Sequence, residues 1–397
     1  MTWQKSDLPR WFRVANTVLE QGRRIGLNTN SSTLDELCAE ARRVTNLSDF
    51  GARDFETPIQ LLLESVAETD QLTWLGAKLT RQGVLRALIN RLHVERARSA
   101  AGSTRPIAPP IFILGLPRTG TTLLQRMLAS IEGARSPKLF ELYRPIADRA
   151  DDDRVEQCAR DMALFYAAAP HVRLIHDVEA TSPDECHFIL ENSGIFPASP
   201  PAERYQRWLA TADVSFAYRE HRSLLQLWQR DEQPTWVLKD PSHVLFLRAL
   251  IEAYPDARIV ECHRALDACV SSLCSLIHGV RLPIVRESDP RAVGREALDH
   301  CERTLRASLE ARSWLPAEQR LDVEYEALTS DPVSVVRAIN ERFAMGWGEA
   351  HFADARRYAA EHPKHRHGAH KHALSDFGLD DETLRRRLEP FERRSTS

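Results

Sequence analysis

The run IFILGLPRTGTTLLQ, residues 111 to 125, brackets an arginine and a threonine between two glycines and follows them with two more threonines, with an apolar stretch before and a helical pattern after. Residues of these types at this spacing can cradle a phosphate. Ile111 to Leu114 have the β-branched, apolar make-up of a buried parallel strand, and Leu123 with Met127 and Leu124 with Leu128 recur at helical spacing. The loop from Pro117 to Thr122 therefore meets a helix N-terminus, where unpaired N–H groups and the positive end of the helix dipole favour an anion. Gly115 and Gly120 are spaced as in a Walker loop, yet Thr121 stands where a nucleotide triphosphatase needs lysine. The loop's own cation is Arg118. A second anion grip is suggested by Arg264 at the end of a later strand-like run and Ser272 two turns into the helix behind it, since a guanidinium and a hydroxyl so placed can hold one anion from two sides.

The elements that must position these residues alternate strand and helix. Trp236 to Leu238, Arg258 to Cys262 and Leu321 to Tyr325 read as strands. Helical stripes follow each, namely Leu247, Leu250 and Ile251, then Leu266, Val270 and Leu273, then Val333, Val336 and Ile339 behind an Asp331 N-cap and Pro332. This alternation implies an α/β fold with a P-loop-like parallel sheet flanked by helices and ligands beyond the strand C-termini. Residues 1 to 105 lack strand-like runs and read as a helical N-terminal region, with Thr33 and Glu36 spaced as a capping box. Pro106, Pro109 and Pro110 break that pattern and open an α/β domain over 106 to 397, within which 146 to 230 is again helical and reads as an insertion.

Composition narrows the function classes. The 397 residues are 43% hydrophobic with a formal net charge of -3, which supports a packed core and offers no global attraction to nucleic acid or to an anionic membrane. No run of about 18 apolar residues is present to insert in a bilayer, and the start has no apolar leader, so a soluble cytoplasmic chain is expected. The seven cysteines are odd in number and form no CxxC pair, as expected of reduced, mostly buried thiols. His362, His365, His367, His370 and His372 crowd one segment, but their spacing fits no closed zinc site and Lys364, Arg366 and Lys371 are interleaved. No metal is expected there; the run reads instead as a basic loop over a nucleotide.

Together these motifs resemble the PAPS-dependent sulfotransferases, which take a sulfuryl group from 3′-phosphoadenosine 5′-phosphosulfate (PAPS). The family's loop for the 5′-phosphosulfate is matched by Pro117, Arg118, Thr119, Gly120, Thr121 and Thr122, and its 3′-phosphate pair by Arg264 and Ser272. The likeness is to the bacterial branch, and in Lys239, Asp240 and Pro241 to the tyrosylprotein sulfotransferases. The resemblance implies PAPS as co-substrate without metal, Lys239 and Arg118 as the cations that stabilise the leaving group, and Tyr325 beside the adenine. It also places the acceptor site in the 146 to 230 insertion, where Tyr205, Trp208, Phe216 and Trp228 suit either an aromatic pocket or the core. The acceptor, a small molecule, lipid, glycan or peptide in chemical terms, must lose a proton as it attacks sulfur, so a base is required. The candidates are Glu141, Glu185 and His243, and the resemblance to the tyrosylprotein sulfotransferases, whose catalytic glutamate falls at a similar distance downstream of the loop, implies Glu141. Two other readings of the loop are a P-loop small-molecule kinase, disfavoured by Thr121, and a non-catalytic nucleotide-binding protein.

Overall fold

The computed structural model describes residues 2–24, 32–102, 105–148, 151–175, 178–198, 200–229, 232–362 and 372–392. Its centre is a parallel sheet of β1 (Ile111–Gly115), β2 (Ala134–Arg135), β3 (Thr235–Lys239), β4 (Arg258–His263) and β5 (Arg320–Glu324), in the spatial order β2-β3-β1-β4-β5. Ile113 of β1 lies opposite Lys239 of β3 and Gly115 opposite Cys262 of β4, so the strand ends that carry the expected chemistry share one edge. The chain runs from β1 to β2 and β3 on one side and then crosses to β4 and β5 on the other, which makes the crevice beyond the C-terminus of β1 the natural ligand site.

The central strands β1 and β3 are apolar on both faces because both faces are covered. Phe112, Leu114, Trp236, Leu238 and Ile259 face one layer, and Ile111, Ile113, Val237, Val260, Cys262 and Val323 face the other. Burying each large apolar side chain stabilises the fold by roughly 1.5–3 kcal/mol. The second layer is the helix Thr121–Ala129 with Pro332–Phe343 and Glu349–Glu361, packed through Leu124, Met127, Leu128, Val336, Ile339 and Phe352.

The first layer is shared between the N-terminal helices and the insertion. Thr33 and Glu36 form the expected capping box of helix Leu34–Thr45. Ile59, Leu62, Leu88 and Leu92 enter the same core as Phe112 and Leu238. Buried Arg91 fixes this arrangement, donating to Glu220 at 2.6 and 2.8 Å and to the Phe50 and Ala52 carbonyls. Removing either partner would leave a buried charge uncompensated. Tyr205, Trp208, Phe216 and Trp228 belong to this core; the Tyr205 hydroxyl donates to the Gly194 carbonyl and accepts from the Phe196 N–H, so these aromatics hold the insertion down rather than lining a pocket.

The expected strands are present with small shifts at their ends. β5 stops at Glu324, and Tyr325 opens the helix Tyr325–Ser330. The edge strand β2, two residues long, is too short to leave a periodic signal in the sequence.

Candidate active site

The turn after β1 is shaped by close approaches that only glycine permits. At Gly115, φ is +131° and a Cβ would sit 2.4 Å from the Cys262 carbonyl oxygen; at Gly120, φ is +89° and a Cβ would meet Leu328 at 2.9 Å and Tyr325 at 3.1 Å. Arg118 adopts a left-handed φ of 76° despite its side chain, a conformation that costs of order 1 kcal/mol and is held by the surrounding loop. The Thr119 hydroxyl closes the turn by donating to the Leu116 carbonyl at 2.8 Å. Thr121 is buried at the first position of the helix, where its short side chain takes the place of a Walker lysine.

Beside this loop, two guanidinium groups converge. Arg118 Nε donates to the Ser272 hydroxyl at 3.2 Å, and Arg264 donates to the Arg118 carbonyl at 3.0 Å. Neither is paired with a carboxylate among the described residues, and burial, followed by the nearby Arg264 charge, holds the Arg118 pKa below its ordinary value. Like charges gathered around a hydroxyl make a site complementary to an anion. Arg264 and Ser272, expected as a pair, are thus brought to one place, and Arg118, expected at the first anion site, is turned toward this second one. Tyr325 lies between the two, its ring edge against Gly120 and its face 4.2 Å below the Arg264 guanidinium carbon. Its face therefore packs a cation.

On the other side of the loop, Lys239 ends β3 with its side chain 1% exposed; Nζ donates to Glu185 at 2.7 Å and to the Thr122 hydroxyl at 3.2 Å. A buried ammonium survives only with such partners. Glu185 arrives on the loop before helix His187–Glu191, and that loop is zipped to the strand end: the Cys186 N–H donates to the Lys239 carbonyl at 2.9 Å, and the His187 N–H to the Asp240 carboxylate at 2.6 Å. Gln125 in the phosphate-loop helix completes the brace by donating to the Asp184 carbonyl at 2.9 Å. His187 Nδ1 sits 3.3 Å from Glu185 and 3.2 Å from Asp240. Burial opposes charge on the imidazole, but the two carboxylate contacts prevail and raise its pKa well above the usual value. Burial likewise opposes ionisation of Asp240, and contact with His187 prevails to lower its pKa. Lys239 and His187 are thus matched by Glu185 and Asp240.

Glu141, the expected base, is engaged in other contacts. Its carboxylate accepts the Lys138 N–H at 2.9 Å as a helix-capping group and Arg135 Nη2 at 2.9 Å, so both oxygens are engaged in structure. The acid that meets Lys239 is Glu185. His243 is also turned away: it is fully buried, its Nδ1 2.6 Å from the Tyr218 hydroxyl and its ring edge-on to Phe112 beneath the sheet. Of the basic segment, only His362 and His372 fall within the described residues; His372 Nδ1 is 3.0 Å from the Ser271 hydroxyl, next to Ser272. His365, His367 and His370 lie outside the described residues. His187, Asp240 and Gln125 were not singled out from the sequence, and Asp240 was legible only as part of the strand-end motif.

Two carboxylate and histidine groups have metal-like proximity, Glu185 with His187 and Asp240, and Glu261 with His263 and Asp322. In the first, the Lys239 ammonium already supplies a cation at 2.7 Å. In the second, Arg312 reaches Asp322 at 2.5 Å and Glu261 at 3.3 Å. The donor sets are compensated by side-chain cations.

The buried His243 and its neighbour His221 give a pH dependence of folding. Burial lowers the His243 pKa to about 4 and the His221 pKa, aided by His243, to about 3. Both imidazoles must stay neutral in the folded state while the unfolded chain protonates near 6.5. The unfolded state then binds more protons, so stability is fully present above pH 6.5 and falls as pH drops toward 4. Roughly 2 kcal/mol per histidine should be lost by pH 5. Urea unfolding at pH 7 and pH 5 should show this slope, and the double variant His221→Gln, His243→Gln should flatten it.

With this geometry in view, the chain has clear counterparts. The family model described as the sulfotransferase family matches residues 109–349, from β1 through β5 and the helices after it. The omega-hydroxy-beta-dihydromenaquinone-9 sulfotransferase Stf3 of Mycobacterium bovis is 24% identical over 308 residues, covering 69% of this chain and 72% of the relative, and its Mycobacterium tuberculosis counterpart matches equally. Among solved structures, sulfotransferase STF1 from Mycobacterium tuberculosis is 28% identical with a TM-score of 0.78, covering 91% of this chain and 100% of that one. Sulfotransferase STF9 from Mycobacterium avium is 26% identical with a TM-score of 0.79, covering 92% and 97%.

Proposed function

The chain belongs to the sulfotransferase family and is a transferase, and from that premise we propose that it moves a sulfuryl group from PAPS to a hydroxyl or amine of a small-molecule or lipid acceptor, with Glu185 as base and Lys239 as the stabilising cation. The observation that carries this reading is the buried Lys239 ammonium held between Thr122 and Glu185 at the mouth of the phosphate loop.

The residues present fit the donor. The loop from Arg118 to Thr122 and the helix N-terminus would take the 5′-phosphosulfate, and Arg264, Ser272 and Arg118 the 3′-phosphate. The donor supplies the sulfuryl group. As the acceptor oxygen or nitrogen bonds to sulfur and the bond from sulfur to the phosphate oxygen breaks, negative charge grows on that oxygen, where Lys239 can donate hydrogen bonds. The acceptor's proton passes to Glu185. When Lys239 turns to the leaving oxygen it releases Glu185 from its 2.7 Å contact, so the carboxylate becomes more basic as the proton is taken. His187, touching both Glu185 and Asp240, is a positioning residue that keeps the carboxylate aimed. Sulfuryl carries less negative charge than phosphoryl, so these cations can stand in for the Mg²⁺ that phosphoryl transfer requires.

The acceptor wall would come from the 146 to 230 insertion. Phe140, Met162, Val178 and Phe188 form an apolar cluster behind the Glu185 loop, which supports an apolar acceptor and is consistent with the lipid named for Stf3. The seven buried, unpaired thiols support a reducing, cytoplasmic setting. The test is transfer of label from [³⁵S]PAPS to small-molecule and lipid pools in the presence of EDTA. Label is expected to move undiminished; loss of transfer under EDTA with recovery in Mg²⁺, or Mg²⁺-dependent turnover of ATP instead, would overturn the reading.

A further inference from the structure

We propose that the face built around helix Arg10–Arg24 is a docking surface for an anionic lipid bilayer, from which the enzyme receives its acceptor; this rests on the lipid-acceptor reading above. Among the described residues, seven large apolar side chains are exposed, and six of them, Trp11, Val14, Val18, Leu79, Leu164 and Leu174, lie on helices that contribute to one small cluster or flank it. That cluster is Leu8, Phe12 and Leu282, with Trp3, Leu75 and Ala168 packed on it. Leu79 lies one helical turn beyond Leu75, and Leu164 one turn before Ala168, so each shares a helix face with a member of the cluster. Leu174 follows His171, whose ring lies 5.1 Å from that of Trp3.

Trp11, Val14 and Val18 are 53%, 57% and 61% exposed and recur along one stripe of the helix, a degree of exposure that scattered surface residues do not explain. The accompanying charge is basic. Arg10 and Arg13 are exposed on the same helix, and its one acid, Glu20, is turned inward to the Trp74 N–H and to Arg286. An apolar stripe flanked by arginines matches the headgroup and acyl boundary of an anionic leaflet. No helix among the described residues is long and apolar enough to cross a membrane, so the contact is interfacial.

The face also leads to the chemistry. Helix Arg154–Ala168, which carries Leu164 and Ala168 at the rim, sends Val155 and Met162 into the apolar cluster with Phe140, Val178 and Phe188 behind the Glu185 loop. One helix thus carries apolar side chains both at the rim of this face and in the cluster behind the Glu185 loop, about two helical turns apart.

The full chain is to be co-sedimented with vesicles of phosphatidylcholine alone and of phosphatidylcholine with 30% phosphatidylglycerol, beside the variants Val14→Asp with Val18→Asp, and Arg10→Glu with Arg13→Glu. The expected results are binding to the anionic vesicles that weakens with salt, and at least a tenfold loss of partitioning in each variant. Calorimetric affinity for 3′-phosphoadenosine 5′-phosphate should be unchanged in both variants, which shows them folded and keeps the donor reading separate from this one. No binding by the parent, or binding that the valine variant retains, overturns the proposal. A dimer in sedimentation equilibrium that the valine variant converts to monomer, without vesicle binding, also overturns it and assigns the face to a second copy of the chain.

Discussion

Glu185→Gln is expected to lower kcat by about two to four orders of magnitude while leaving nucleotide affinity nearly unchanged. The substitution keeps the side chain's size and its acceptance of the 2.7 Å hydrogen bond from Lys239 but removes its capacity to take a proton. Glu141→Gln is the control, because Glu141 caps a helix and pairs with Arg135, contacts that govern stability and not proton transfer. Its expected cost is a capping contribution of about 1 kcal/mol, with turnover close to the parent's. The reverse pattern, in which Glu141→Gln is inactive and Glu185→Gln active, would return the base to Glu141. His187→Asn separates positioning from proton transfer: it should shift the pH profile of kcat through Glu185, whereas a purely structural role would lower stability alone.

Lys239→Met should lower kcat by about two to three orders of magnitude, the effect of removing one preorganised donor from the oxygen on which charge develops. Methionine retains the length and apolar stem, so the fold of β3 is preserved, but Glu185 loses its ammonium partner at 2.7 Å and Thr122 its donor at 3.2 Å. Product-nucleotide affinity should weaken far less than kcat, because Arg264, Ser272 and Arg118 supply the second grip independently. Combined with Glu185→Gln, the loss should be much smaller than the product of the two single losses, since the pair acts as a unit. Wild-type turnover in Lys239→Met would remove Lys239 from the chemistry.

The strand, loop and helix at 111 to 129 were readable because every local signal there agrees: β-branched residues, glycines where a Cβ cannot fit, and a helical apolar stripe. The same holds for Arg264 and Ser272, which one strand and one helix fix at a constant spacing. Glu185 was harder to place because its position depends on long-range contacts. Its loop is pinned by Gln125 and by the Lys239 and Asp240 backbone and carboxylate, partners more than 50 residues away that leave no periodic trace. The capping contact of Glu141 was hidden in the sequence because Lys138 is an unusual residue at a helix N-cap. The aromatics of the insertion were ambiguous for a different reason: an amphipathic helix pattern shows that a face is buried but not against what.

The measurement that bears most directly on the account is calorimetric titration of the protein with 3′-phosphoadenosine 5′-phosphate and, separately, with 5′-AMP. The two nucleotides differ in the 3′-phosphate, for which the structure offers Arg264, Ser272 and Arg118 with no competing carboxylate among the described residues. A charge-assisted contact contributes roughly 1.5–3 kcal/mol, so the 3′-phosphate should strengthen binding by about ten- to a hundredfold, and Arg264→Ala should erase most of that difference. Equal affinities for the two nucleotides in the parent protein would contradict the assignment of the second anion site and with it the proposal that PAPS is the donor.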